Sequence, residues 1–186
     1  MKTQLPPFVH AYPAPAVLIG CGTVKKPNLI TCSWFGTVCS EPPMISVSVR
    51  PSRYSYRLIH DSGEFSVNLA KASQIEAVVH CGMKSGRAAD KFKDLNLTPV
   101  ACPPLTDAPM IDEFFLALAC RVKHELALGT HHIFIADVVA VYGEPKTDPQ
   151  LSRPMIQPEE QLVYLDGKYW SLKPVEFDIA SLMDRK

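Results

Sequence analysis

Long apolar runs are missing from this chain of 186 residues. No stretch reaches the 18 consecutive hydrophobic residues that would mark a membrane-spanning helix. Net charge is missing too: lysine plus arginine and aspartate plus glutamate stand at 19 each. That balance removes the long-range pull expected of a nucleic-acid or membrane binder, though it leaves room for a local basic patch. There is no Walker A loop, no GxSxG elbow and no HExxH, and Gly20-Cys21-Gly22 lacks the third glycine of a dinucleotide fingerprint. The six cysteines, at 21, 32, 39, 81, 102 and 120, include no CxxC pair. They read as reduced, mostly buried thiols, not as a disulfide framework or zinc site. The opening residues, Met1 to Pro7, lack the apolar stretch of a secretory signal, so the expectation is a cytoplasmic protein.

Proline is what the chain has in excess. Seventeen prolines punctuate strands and loops and fit poorly into a bundle of long helices. Strand signals run through Ala16 to Thr23, Asn28 to Trp34, Met44 to Arg50 and Glu64 to Leu69. Lys25 to Asn28 reads as a turn, and Phe35 to Pro43 as a loop closed by a Pro-Pro pair. Short helices are expected over Arg53 to His60, with Ser52 as N-cap, and from a capping box at Ser73 and Glu76 to about Cys81. A loop and a helical turn follow over Ser85 to Phe92.

The strongest periodicity puts Phe114, Leu116, Leu118, Cys120, Val122, His124 and Leu126 on one face of a long strand, with Arg121, Lys123 and Glu125 opposite. His124 then reads as a core histidine. Gly129-Thr130 turns the chain into a second long strand, His131 to Tyr142, and Asp166-Gly167 marks a hairpin between Leu162–Leu165 and Lys168–Ser171. Many strands and short helices without β-α alternation exclude a doubly wound sheet. The expected class is mainly β, an antiparallel barrel with short helices at its ends, folded as one domain over 1–186.

Chemistry concentrates between Asn28 and Ser55. Hydroxyls, a glycine and an asparagine lie beside Trp34, and Arg50 and Arg53 flank the start of a helix that carries Ser52 and Ser55. Helix amides, hydroxyls and guanidinium groups together make a phosphate cradle; an ordinary N-cap with solvated arginines is the plainer alternative. His131 and His132 point to opposite faces of a strand and cannot both aim at one metal ion, so no metal site is expected.

Four segments in order carry a resemblance: Asn28-Leu-Ile-Thr-Cys-Ser-Trp34 through Pro43, Val49-Arg-Pro-Ser-Arg-Tyr-Ser55, Ser85-Gly-Arg-Ala-Ala-Asp-Lys-Phe92, and Gly129-Thr-His-His-Ile-Phe-Ile-Ala-Asp-Val138. From about Ala14 to Tyr142 the chain resembles the flavin reductase-like domain family, and its flavoredoxin-type branch most. The resemblance implies a Greek-key split β-barrel that binds FMN and pairs as a homodimer, with a core over 14–142 and an extension over 145–186. It implies Asn28 and Trp34 beside the flavin or its ribityl chain, the backbone of Thr37, Val38 and Cys39 at the ring edge, and Arg50, Arg53, Ser55 and Lys91 at the phosphate. His132 would lie near the open flavin face as the catalytic group, seating a nicotinamide or donating a proton, with a barrel-rim histidine as the plainer alternative. Tyr164 would cover the flavin from the partner subunit.

The chain departs from the family where Ser55 replaces a frequent Thr, and where Thr130 precedes the histidines in place of an Asp. The implied function is transfer of electrons from NAD(P)H through FMN to free flavin or another acceptor. The alternative is a flavoredoxin-like electron carrier without NAD(P)H activity, its partner then a redox protein. Neither reading involves nucleic acid or membrane.

Overall fold

The computed structural model describes residues 2–9, 11–143, 147–148, 153–154 and 160–173. In chain order come β1 (Ala14–Pro15), β2 (Val17–Thr23), β3 (Lys26–Cys32), β4 (Phe35–Ser40), β5 (Pro43–Val49), α1 (Tyr54–Ser62), β6 (Glu64–Leu69), a single-turn helix at Ala72–Gln74, α2 (Ile75–Met83) and α3 (Lys91–Asp94). There follow β7 (Pro99–Val100), β8 (Met110–Ile111), β9 (Leu116–Leu128), β10 (His131–Gly143), β11 (Thr147–Asp148), β12 (Arg153–Pro154), β13 (Leu162–Leu165) and β14 (Lys168–Ser171).

Seven strands form one antiparallel sheet in the order β3-β2-β6-β9-β10-β5-β4. Its two end strands, β3 and β4, are neighbours in the chain, joined only by Ser33 and Trp34. Laid flat, seven strands would hold their outer members about 29 Å apart, six spacings of roughly 4.8 Å. Three extended residues, Cys32 to Phe35, reach at most about 11 Å. The sheet must therefore curl until its ends meet, and the result is an antiparallel split β-barrel. The β4–β5 ladder runs on into the link, where the Ser48 N–H donates to the Trp34 carbonyl at 2.9 Å.

Strand β2 shows why the apolar runs are continuous and not alternating. Val17, Ile19 and Cys21 face a core that also holds Val47, Val49, Ile59, Phe65 and Phe134. Leu18, with Ala16 just ahead of the strand, faces a second core, under α2 and α3, with Leu29, Val78, Cys81 and Phe92. A strand buried on both faces has no polar side to betray its period.

Several local expectations are corrected. Residues 35–40 are the strand β4, not a loop; it pairs with β5 through a bulge between Thr37 and Cys39 that locally upsets the alternation. Pro43 is the first residue of β5, a position where its missing N–H is tolerated. Helix α1 is capped by Arg53 without a side-chain cap bond, so Ser52 is not the N-cap. At α2, the reciprocal bond comes from Gln74, whose Oε1 accepts from the Lys71 N–H at 2.9 Å, ahead of the Ser73–Glu76 pair. On β9 the register slips between Val122 and His124, leaving Lys123 as an extra residue. Beyond that bulge the faces exchange: Glu125 stands opposite Phe134, on the face of Val122, and His124 is exposed.

The tail hairpin matches its expectation. Asp166 and Gly167 both have positive φ, 46° and 81°, as a two-residue turn between right-twisted strands requires. Residues 145–146, 149–152, 155–159 and 174–186 of the expected extension lie outside the described residues. Among those described, no helix is long and apolar enough to cross a membrane.

Candidate functional site at the barrel split

The split opens a cleft of about 160 Å³, lined by Ile30, Thr31 and Cys32 of β3, Ser33 and Trp34 of the link, Ser48 and Val49 of β5, and Arg50, Arg53 and His131. Among the described residues, two arginines and no carboxylate line it. Trp34 lies against His131 with ring centres 4.3 Å apart and planes at 38°. Arg50 Nε donates to His131 Nε2 at 3.3 Å. Burial, with Arg50 and Arg53 adding to it, pushes the His131 pKa below the usual histidine value. The ring is thus neutral near pH 7 and able to accept that bond.

Close behind the cleft wall sits a buried polar string. Asn28 donates from Nδ2 to Ser55 Oγ at 2.7 Å and to Cys21 Sγ at 3.3 Å. Gly86 leaves room for it: a Cβ there would overlap the Asn28 carboxamide and touch the Tyr54 ring. Lys91 is buried and donates to the Leu29 and Cys81 carbonyls at 2.6 and 2.9 Å. Burial lowers its pKa, and the nearby Arg53 charge lowers it further. Two cations thus sit within electrostatic reach of each other. Cys21 and Cys32 are pushed up to about 11 and 12 by burial and behave as packed thiols.

Of the residues singled out from the sequence, Trp34, Arg50 and Arg53 meet in the cleft. Asn28, Ser55 and Lys91 form the buried string. Thr37, Val38 and Cys39 lie on β4, at the end of the sheet order, outside the cleft lining. Phe35 and Gly36 of β4 line a second furrow of about 470 Å³ that shares Ser33, Trp34 and Ser48 with the cleft. Tyr164 belongs to β13, opposite Ala14, and packs edge-on against Tyr12 and Tyr169.

His132 does not line the cleft; its neighbour His131 does. Strand alternation puts His132 on the inward face of Phe134 and His131 on the outward one. With apolar side chains at both 133 and 134, the sequence pattern gave no sign of which histidine would face which way.

A family model for the flavin reductase-like domain matches residues 9–173, nearly the whole chain. The chain belongs to the flavin reductase-like domain family. Flavoredoxin from Methanosarcina acetivorans superposes with a TM-score of 0.87 at 29% identity, over 99% of this chain and 98% of that one. An FMN-binding protein from Thermus thermophilus superposes at 0.80 with 25% identity, over 96% and 97%. The FMN reductase (NADH) RutF of Stutzerimonas stutzeri is 26% identical over 112 residues, 60% of this chain and 62% of that protein.

This flavin reductase-like chain carries a second polar cluster on the opposite face of β10 from the cleft. Glu125 Oε1 accepts from the Tyr56 hydroxyl at 2.7 Å and lies 2.9 Å from His132 Nδ1; its Oε2 lies 2.7 Å from His60 Nδ1. Burial would raise the Glu125 pKa, but the bonds from His132, His60 and Tyr56 outweigh it and hold the carboxyl at about 2. In return Glu125 raises the pKa of His60. Sequence reasoning missed this cluster because the Lys123 bulge, invisible in the pattern, turns Glu125 inward.

Proposed function

We propose that this protein is an FMN-binding oxidoreductase that moves electrons from NAD(P)H through FMN to free flavin or another acceptor. The observation that carries the reading is a cleft that presents Arg50 and Arg53, at the N-terminal end of α1, with no carboxylate among its described lining residues and the planar Trp34–His131 pair beside it. The donor set fits a phosphorylated planar ring. Guanidinium groups and first-turn amides suit a phosphate, and flat aromatics suit the ring that carries it.

Arg50 and Arg53 would hold the phosphate, with Lys91 and Ser55 supporting from behind; the mutual repulsion of Arg53 and Lys91 is relieved by an anion between them. Trp34 and the open backbone of Thr37, Val38 and Cys39 would border the ring and Asn28 would brace the wall. Bound there, FMN supplies the redox chemistry; the protein contributes orientation and water exclusion. His131, and not His132, is the histidine placed to meet a second planar substrate.

A second copy of the chain completes the site in this reading. The cleft is smaller than the roughly 300–1,000 Å³ usual for ligand pockets. The adjoining furrow is lined by Val9, Ala11 and Pro13 along with Phe35 and Gly36, and in the same two segments of chain Leu5, Phe8 and Val38 are exposed. Exposed apolar groups of that kind mark an interface, and Tyr164 of the partner would then cover the ring.

The likeness to flavoredoxin over nearly the full length supports a second reading, an electron carrier reduced by a redox protein. One experiment separates the two. The purified protein should show the visible absorption bands of a flavin, and heat should release FMN. Anaerobic NADH or NADPH should bleach those bands quickly. Bands that bleach only with dithionite favour the carrier. A colourless protein that takes up no FMN overturns both.

A further inference from the structure

We propose that Glu125 is a positioning residue for the phosphate end of the cleft: by gripping Tyr56 and His60 of α1 and His132 of β10 together, it sets where Arg53 and His131 stand. The inference rests on the reading of the cleft as a phosphate site.

The registers make the coupling short. His132 pairs with Val49, so the two residues behind His131 and Arg50 are cross-strand partners. Tyr56 lies one helical turn after Arg53, and its N–H donates to the Arg53 carbonyl at 3.1 Å. The Tyr56 ring also packs against His132 and Phe134, with centres 5.1 and 5.7 Å apart. A carboxylate that holds Tyr56 and His132 therefore fixes the helix start and the strand end, from which the cleft side chains project. Its second oxygen reaches His60, one turn beyond Tyr56, so α1 is gripped at two points and cannot swivel about one. The bulge at Lys123 is what brings this carboxylate inward, and such bulges re-aim side chains.

The grip is charge-dependent. On α1, His60 stacks on Tyr56 and feels the charge of its neighbour Asp61, which is itself paired with Arg57 at 3.3 Å; from the strands it meets Glu125, which also holds His132. Glu125 chiefly, and Asp61 to a lesser degree, raise the His60 pKa above its ordinary value. A raised histidine contributes fully below its unfolded pKa, and the contribution is lost as pH rises through the folded one.

The test is titration of the full flavin-free chain with FMN and with riboflavin, which lacks the phosphate, following flavin fluorescence as pH is raised from neutral past the ordinary histidine range. Glu125→Gln should weaken FMN about tenfold, the scale of a lost charge-assisted hydrogen bond, and leave riboflavin unchanged. Lys123→Gln, on the exposed bulge of the same strand, should change neither. In the wild type the preference for FMN over riboflavin should decline as pH rises, and His60→Gln should flatten that decline. An unchanged ratio in Glu125→Gln, or equal loss of both ligands, overturns the proposal. Should Glu125→Gln fail to fold, His60→Gln carries the test alone, and a pH profile identical to wild type overturns it. A wild type that binds FMN no better than riboflavin sinks the phosphate reading itself, a result distinct from any failure of Glu125.

Discussion

At the residue scale, the cleft is governed by unpaired positive charge. Arg53 faces the cleft, and Lys91 behind it donates to two carbonyls, so among the described residues neither cation has a carboxylate to neutralise it there. Arg53→Ala should weaken FMN by about 10- to 100-fold, as expected for hydrogen bonds to a charged group, with riboflavin affinity kept. Glu64 makes the contrasting case of a fully employed charge. Its Oε2 accepts from the Thr106 and Asp107 N–H groups at 2.8 and 3.1 Å, and its Oε1 meets Arg121 at 3.3 Å. Burial alone would raise its pKa, yet these partners together lower it. A lowered carboxylate stabilises above its unfolded pKa, and that contribution is lost as pH falls through the folded one. Glu64→Gln should reduce stability by about 1–3 kcal/mol at neutral pH. Urea denaturation should show the gap from wild type closing in acid.

At the scale of elements, the long strands were legible and their irregularities were not. The pair β9 and β10 follows from sustained apolar periodicity around Gly129-Thr130. The bulges at Val38 and Lys123 leave no mark on composition, because an extra residue in a strand looks like any other. Both fall next to the residues that matter: one on β4 beside the furrow, one placing Glu125 inward. The β13–β14 hairpin gives a test of its own. Gly167 at φ 81° becomes strained on gaining a side chain, so Gly167→Val should cost about 1–2 kcal/mol in thermal denaturation. If Tyr164 of that hairpin covers the flavin, FMN affinity should fall with it; affinity unaltered at full folding would remove Tyr164 from the site.

At the scale of the molecule, closure of the sheet creates the site. The cleft takes residues from β3, the β3–β4 link, β5, the start of α1 and β10, which span positions 30 to 131 of the chain. An open sheet would leave β3 and β4 far apart and Trp34 with no strand end to lean on. Sedimentation of the wild type should give a dimer, and FMN should tighten it if the partner forms the missing wall. A monomer with undiminished FMN affinity would remove the partner, and Tyr164 with it, from the proposed site.

The sequence by itself determined the class of the fold, the long hairpin and the basic segment around Arg50 and Arg53, because periodicity, turn chemistry and residue type are local properties. Only the tertiary structure decided that Lys91 and Asn28 are buried, that His131 faces the cleft while His132 turns inward, and that Glu125 grips the first helix. Each of these depends on register and on the curl of the sheet. A shift of one residue exchanges the faces of a strand, and nothing in the local pattern records it.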